Sequence, residues 1–198
     1  QDGRITMNIL GREVSFRVAT QPTIHGENIV LRVLDKQKAL LPLAQLGFSE
    51  SNIKTLHKAL QRPEGIIVVT GPTGSGKSTL LAAGNRMLLE RREGCGKMLT
   101  YEAPIEFTYD TIKSPRSLVA QTEIPRHLPD FAAGVRNALR RKPNVILVGE
   151  ARDKETISAT IEAAQTGHAV YTTAHTVGVS STIRRMISIF DSSEREER

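Results

Sequence analysis

Two short runs with no polar side chain, Ile66-Ile67-Val68-Val69 and Val145-Ile146-Leu147-Val148, constrain this chain more than anything else in it. A strand with one wet face alternates apolar and polar residues, whereas an uninterrupted apolar run fits a strand buried on both faces. Such strands need helices above and below, and amphipathic stretches supply them. Ile53, Leu56 and Leu60 share one stripe behind Ser49, which can cap the helix, with Glu50 in the first turn and Pro63-Glu64-Gly65 as the stop. Further stripes run through Leu128, Phe131, Val135, Ala138 and Leu139, through Ile157, Ile161 and Ala164, and through Ile183, Met186, Ile187 and Phe190. A third strand is expected over Lys97–Tyr101, and another after the helix-ending Gly167. Strands alternating with helices predict an α/β fold with a mainly parallel sheet covered on both sides.

The first 35 residues read differently. Arg4–Ile9 and Val14–Val18 alternate around a turn at Gly11-Arg12, and a loop with Pro22 and Gly26 leads into Ile29–Leu34. Three short strands do not make an independent core, so residues 1–35 are expected to be the end of a domain whose beginning is missing. Residues 36–44 read as a linker, 45–198 as the main domain, and Ser192–Arg198 as a fraying polar tail. The single cysteine, Cys95, excludes an intrachain disulfide framework and a multi-cysteine zinc site. No apolar run approaches the ~20 residues that span a bilayer, and Gln1-Asp2-Gly3-Arg4 has no signal-peptide character, so a cytosolic protein is expected. The net charge of +6 fits nucleic acid, an anionic surface or a phosphate-rich ligand.

Gly71-Pro72-Thr73-Gly74-Ser75-Gly76-Lys77-Ser78 matches G-x-x-x-x-G-K-[ST] without a mismatch, and Thr79 follows it. The context also fits, because an apolar strand precedes the motif and a helical pattern with Leu80, Leu81 and Met87 begins in it. The glycines let backbone N–H groups turn around phosphate oxygens, and the helix N-terminus adds partial positive charge. In such a loop Lys77 reaches the β- and γ-phosphates and the Ser78 hydroxyl binds Mg²⁺. No Asn-Lys-x-Asp segment is present to read guanine, which leaves ATP as the expected nucleotide.

Acidic residues are placed to serve such a loop. The second apolar strand ends in Val148-Gly149-Glu150, and Glu150 can hold the Mg²⁺ shell. The third strand runs into Glu102-Ala103-Pro104-Ile105-Glu106, where Pro104 bends the chain out of regular pairing. Hydrolysis needs a group that orients or deprotonates water, and spacing leaves Glu102 and Glu106 as equal candidates. His168 and His175 stand seven residues apart at opposite ends of one short strand, too far to share a metal ion. His175 is expected at the C-terminal edge, where ligands of open parallel sheets bind, and suits a γ-phosphate contact.

Four segments in order then carry a resemblance: GPTGSGKST (Gly71–Thr79), EAPIE (Glu102–Glu106), RRKPNVILVGEARD (Arg140–Asp153) and TGHAVYTTAHT (Thr166–Thr176). Together they resemble the Walker A, Asp, Walker B and His boxes of the secretion ATPases, which serve type II secretion, type IV pili and type IV secretion. Glu123–Pro129 and Gly134–Pro143 look like the type IVB subgroup, the DotB- and TraJ-type ATPases. Ala103 and Asn144 stand where other members often carry Asp. The resemblance implies a RecA-like P-loop core preceded by a partial PAS-like α/β N-terminal domain, with the C-terminal helical part absent. It implies a Mg²⁺-dependent ATPase acting as a homohexamer with inner-membrane secretion or pilus proteins, cytoplasmic and peripherally attached through them. It makes Glu106 the catalytic carboxylate, Glu150 the Walker B glutamate and His175 the γ-phosphate contact. By the same carry-over Arg17 and Arg32 reach phosphates from the N-terminal domain, and Glu102 and His168 belong to the nucleotide boxes.

Two other classes compete. A nucleic-acid translocating motor would account for the charge, but aromatics make up only 4% of the chain and no dense basic stretch exists, so a direct nucleic-acid partner is disfavoured. A nucleotide-dependent assembly scaffold would bind ATP with little hydrolysis.

Overall fold

The structure, a computed structural model, describes residues 2–34 and 40–190; residues 36–39 of the expected linker and the whole of the expected tail lie outside the described residues. The chain divides into two compact units, Gln1–Ala39 with Glu106–Thr108, and Leu40–Ile105 with Tyr109–Arg198.

The first unit is an antiparallel sheet of β1 (Asp2–Ile9), β2 (Arg12–Thr23) and β3 (Gly26–Leu34), in that order. The β1–β2 turn is the pair Leu10-Gly11, both with positive φ (51° and 78°), one residue earlier than the sequence suggests. Two-residue hairpins whose twist matches the strands need positive φ at both positions, which suits Gly11 and strains Leu10. The expected loop around Pro22 is ladder instead: Pro22 pairs with Glu27, and the turn narrows to Ile24-His25 between Thr23 and Gly26. The described pairing with β1 runs as far as Ala19, opposite Asp2. Ile29, Val30, Leu31 and Val33 are each more than half exposed, so both faces of this sheet carry uncovered apolar side chains.

The second unit is the predicted α/β layer structure. Its five strands are β4 (Gly65–Thr70), β5 (Gly96–Glu102), β6 (Ser117–Glu123), β7 (Val145–Val148) and β8 (Ala169–Ala174). All pair in parallel, in the order β4-β8-β7-β5-β6. The helices are α1 (Glu50–Leu60), α2 (Lys77–Leu89), α3 (Phe131–Leu139), α4 (Lys154–Gln165) and α5 (Val179–Ser188). Alternation along the strands divides the core. Met98, Val145, Leu147 and Tyr171 pack with Leu60, Leu81 and Leu88 of α1 and α2. Leu99, Tyr101, Ile146 and Val170 pack with Val135, Ala138, Ala159 and Ala163 of α3 and α4.

Caps fall where the sequence places them. Ser49 Oγ accepts from Asn52 N at 3.3 Å, and Gly167 (φ 90°) closes α4 with its N–H donating to Ala164 O. Asn144 aligns three strand starts: its Oδ1 and its N–H bond Lys97, and its carbonyl accepts from Ala169 N.

Two expectations change. β7 is wholly buried, but β4 is only half-buried because it is an edge strand of the described sheet. The stripe on α5 is not covered either: Ile183 and Ile187 stay about half exposed, while Thr182 and Phe190 are buried.

Gly134 of α3 lies against the buried Tyr101 ring, and a Cβ there would stand 2.5 Å from Tyr101 Cδ1. Gly134→Ala is therefore expected to destabilise the fold although alanine favours helix by about 1 kcal/mol, because overpacking a close-packed core costs about 1–3 kcal/mol. A thermal melt lower by several degrees checks this.

Candidate active site

Because the sheet is parallel, four segments emerge from one edge. Gly71 follows β4, His175 follows β8, Gly149-Glu150 follows β7, and Glu102 ends β5. The strand order puts the first three on neighbouring strands. Crevices at the carboxyl edge of such sheets are where ligands bind.

The loop Gly71–Gly76 is held open by its own backbone. Gly71, Gly74 and Gly76 have φ of 150°, 80° and 87°, a region that L side chains avoid. At Gly71 a Cβ would also meet Ser75 Oγ at 2.6 Å. Gly76 caps α2 in the left-handed conformation, so Lys77 and Ser78 begin the helix and its first N–H groups face the loop. Lys77 is nearly buried, and its Nζ donates to Gly71 O at 3.0 Å and Pro72 O at 2.9 Å. Its charge is thus fixed inside the loop's curve. Pro72, Thr73, Ser75 and Ser78 are exposed, and Thr79 is half-buried.

Glu150 is half-buried and central. Its Oε2 lies 2.8 Å from Arg152 Nη2 and 3.7 Å from His175 Nε2. Hydrogen bonds between the two neighbouring strand ends support this contact: Thr173 Oγ1 donates to Gly149 O, and Ala151 N to Thr173 O. The sequence reading assigns Arg152 no role; its place two residues after Glu150, on the turn before the α4 cap Asp153, was the available signal. Glu102 is likewise half-buried, and its Oε1 accepts from Thr100 Oγ1 at 2.6 Å and Gln121 Nε2 at 3.1 Å.

His168 is not brought to this edge. It precedes β8 at the opposite end, where its N–H donates to Ala163 O and its Nδ1 lies 2.9 Å from the same oxygen. Its carbonyl accepts from Gly65 N at the start of β4.

Glu106 belongs to the first unit and is exposed. So do Arg17 and Arg32, which are directly paired across β2 and β3.

Among the described residues, no group of three or more His, Cys, Asp and Glu could hold a metal ion, and no helix is long and apolar enough to cross a membrane.

The family profile of the type II/IV secretion system proteins matches residues 1–192. The type II secretion system ATPase E of Vibrio cholerae is 46% identical over 190 residues, covering 94% of this chain and 36% of that protein. The X-ray structure of the Legionella pneumophila ATPase DotB superposes with a TM-score of 0.84 at 46% identity, over all of this chain and 53% of that one. The pilus retraction motor PilT with bound ADP gives a TM-score of 0.81 at 33% identity, over 99% of this chain and 54% of that one. The chain therefore spans about a third of the length of its curated relatives and about half of the solved ones. The second unit is the RecA-like α/β core of these ATPases, preceded by an antiparallel N-terminal sheet. On the profile match and the shared fold, the chain belongs to the type II/IV secretion system protein family.

Proposed function

We propose that this chain is the ATP-binding and ATP-hydrolysing core of a secretion motor. The observation that carries the proposal is the convergence, at one edge of a parallel sheet, of a complete phosphate loop, the Glu150 carboxylate and His175. The loop backbone and Lys77 bind the β- and γ-phosphates, with Gly71 to Thr79 as the contact segment. His175, one strand away from the loop strand, contacts the γ-phosphate. Ser78 and Glu150 offer hard oxygen donors, and one or two such ligands suffice for Mg²⁺ bound with phosphates and water. Mg²⁺ so held supplies charge neutralisation at the phosphates. Glu106 orients the attacking water, Arg17 and Arg32 reach the phosphates from the first unit, and Glu102 supports the site. His168, at the opposite end of β8, has no part in nucleotide contact; its ring lies on Ala163 O near the end of α4.

The assembly is proposed to be a homohexamer, cytoplasmic and attached peripherally to inner-membrane secretion proteins. Its apparatus is proposed to be type IVB secretion or conjugation, on the subgroup segments and the 46% identity to Legionella DotB. The Vibrio type II ATPase is equally identical, so apparatus is decided by complementation of defined secretion mutants. Purified protein with Mg²⁺ and ATP is expected to release phosphate, and chelation of the metal to stop it. ATP binding without release would replace the motor by a scaffold, and stimulation by DNA with steep salt dependence would replace it by a nucleic-acid motor.

A further inference from the structure

Strand β6 was not foreseen as part of any site, yet its polar face takes up both flanks of the segment that carries Glu106. Gln121 and Glu123 are two residues apart on β6 and point to one face, paired with Thr100 and Glu102 of β5. Glu123 Oε2 accepts from Ile105 N at 3.4 Å, and Gln121 Oε1 accepts from Tyr109 N at 3.2 Å. Both anchored residues belong to the second unit, while Glu106–Thr108 between them belongs to the first. The other end of the Gln121 amide donates to Glu102 Oε1.

The Tyr109 side chain extends the chain of bonds. Its hydroxyl accepts from Asn85 Nδ2 at 2.9 Å, and Asn85 is fully buried in α2, two turns beyond Lys77. Burial, helped by the Glu102 charge, holds the Tyr109 phenol well above its ordinary range, so it keeps its proton at neutral pH. A buried polar chain is strong when satisfied and costly when one member is lost. It runs from the helix that opens at the phosphate loop, through Tyr109 and Gln121, to Glu102.

We propose that Gln121 is a positioning residue that ties the Glu102 carboxylate and the Tyr109 end of the Glu106 segment to one point on β6. Only a side-chain amide does both tasks. One orientation presents NH₂ to a carboxylate and C=O to a backbone N–H, and the flipped orientation opposes like groups at both ends. The inference rests on the ATPase reading, because its consequence is that Glu102 and the Tyr109 end of the Glu106 segment keep fixed places against β6. A displacement of about 1 Å in a catalytic group can cost about a hundredfold, whereas nucleotide binding rests on the phosphate loop.

Two variants test this on the whole protein. Gln121→Met keeps length and loses both bonds; Gln121→Glu keeps the acceptor for Tyr109 N–H and sets a carboxylate against Glu102. Steady-state ATPase kinetics, the pH profile, amide hydrogen exchange at Tyr109 and a thermal melt are the readouts. In Gln121→Met, kcat should fall about ten- to a hundredfold, KM for ATP should stay within about twofold, and the Tyr109 amide should exchange at least about tenfold faster. In Gln121→Glu that amide should stay protected. Its kcat should be low at neutral pH and recover as pH falls, because the carboxylate pair then shares a proton that restores the bond.

A Gln121→Met kcat within twofold of the unaltered protein, or a raised KM at constant kcat, overturns the proposal. If the unaltered protein releases no phosphate, the ATPase reading fails separately, and unchanged Tyr109 exchange in Gln121→Met still overturns the anchor. If Gln121→Met does not fold, Gln121→Glu decides, and a flat pH profile there is fatal.

Discussion

Lys77→Ala is expected to reduce ATP turnover to background, a loss of at least about a hundredfold by analogy with removing one transition-state donor. The lysine is a nearly buried cation at the first position of α2, and its ammonium already lies against the carbonyls of Gly71 and Pro72. Charge accumulates on the transferring phosphoryl oxygens, and a fixed cation inside the loop stabilises it without reorganisation. Alanine removes that cation and frees the carbonyls of half-buried Gly71 and exposed Pro72. Neither core cluster contains Lys77, so the melt should barely move while phosphate release disappears. Lys77→Arg should also fail, because a planar guanidinium cannot replace a compact ammonium between those carbonyls. Undiminished turnover in Lys77→Ala would remove the phosphate-loop assignment.

What could be read from the sequence follows the range of the forces involved. The phosphate loop, the Ser49 cap and the buried run of β7 depend on residues near in sequence, and they appear where spacing places them. The edge position of β4 depends on strand order, which no local pattern carries. The same holds for the pairing of Arg17 with Arg32, set by the register of a hairpin whose loop was misplaced at Pro22. β6 reads Ser-Leu-Val-Ala-Gln-Thr-Glu, too polar for the buried-strand pattern and too mixed for clean alternation. Its polar residues accept hydrogen bonds from Tyr109 N–H and Ile105 N–H and donate one to Glu102, and such partners are known only after folding. Arg152 was legible only as one arginine among many until its 2.8 Å contact with Glu150 appeared.

Glu106→Gln is the second large effect, with a loss of about 10²–10⁴-fold in kcat, the usual range for removing a general base. Spacing could not choose between Glu106 and Glu102, and the resemblance favoured Glu106. Their surroundings now differ in a way that experiment can use. Glu102 is half-buried, with one oxygen taking hydrogen bonds from Thr100 and Gln121. A carboxylate oxygen already accepting from two donors is a poor place to receive a proton from water, since protonation there would break what holds it. Glu106 is exposed, on a segment whose two flanks are bonded to β6. Glutamine at 106 keeps shape and polarity but cannot take a proton, so ATP should bind with near-normal affinity and remain uncleaved. Glutamine at 102 can still accept through its carbonyl from Thr100 and Gln121, so a smaller loss, about tenfold, is expected there. Nucleotide binding measured beside single-turnover hydrolysis separates the two. If the glutamine at 102 proves the more damaging, or Glu106→Gln still hydrolyses ATP at the unaltered rate, the roles of the two carboxylates are reversed.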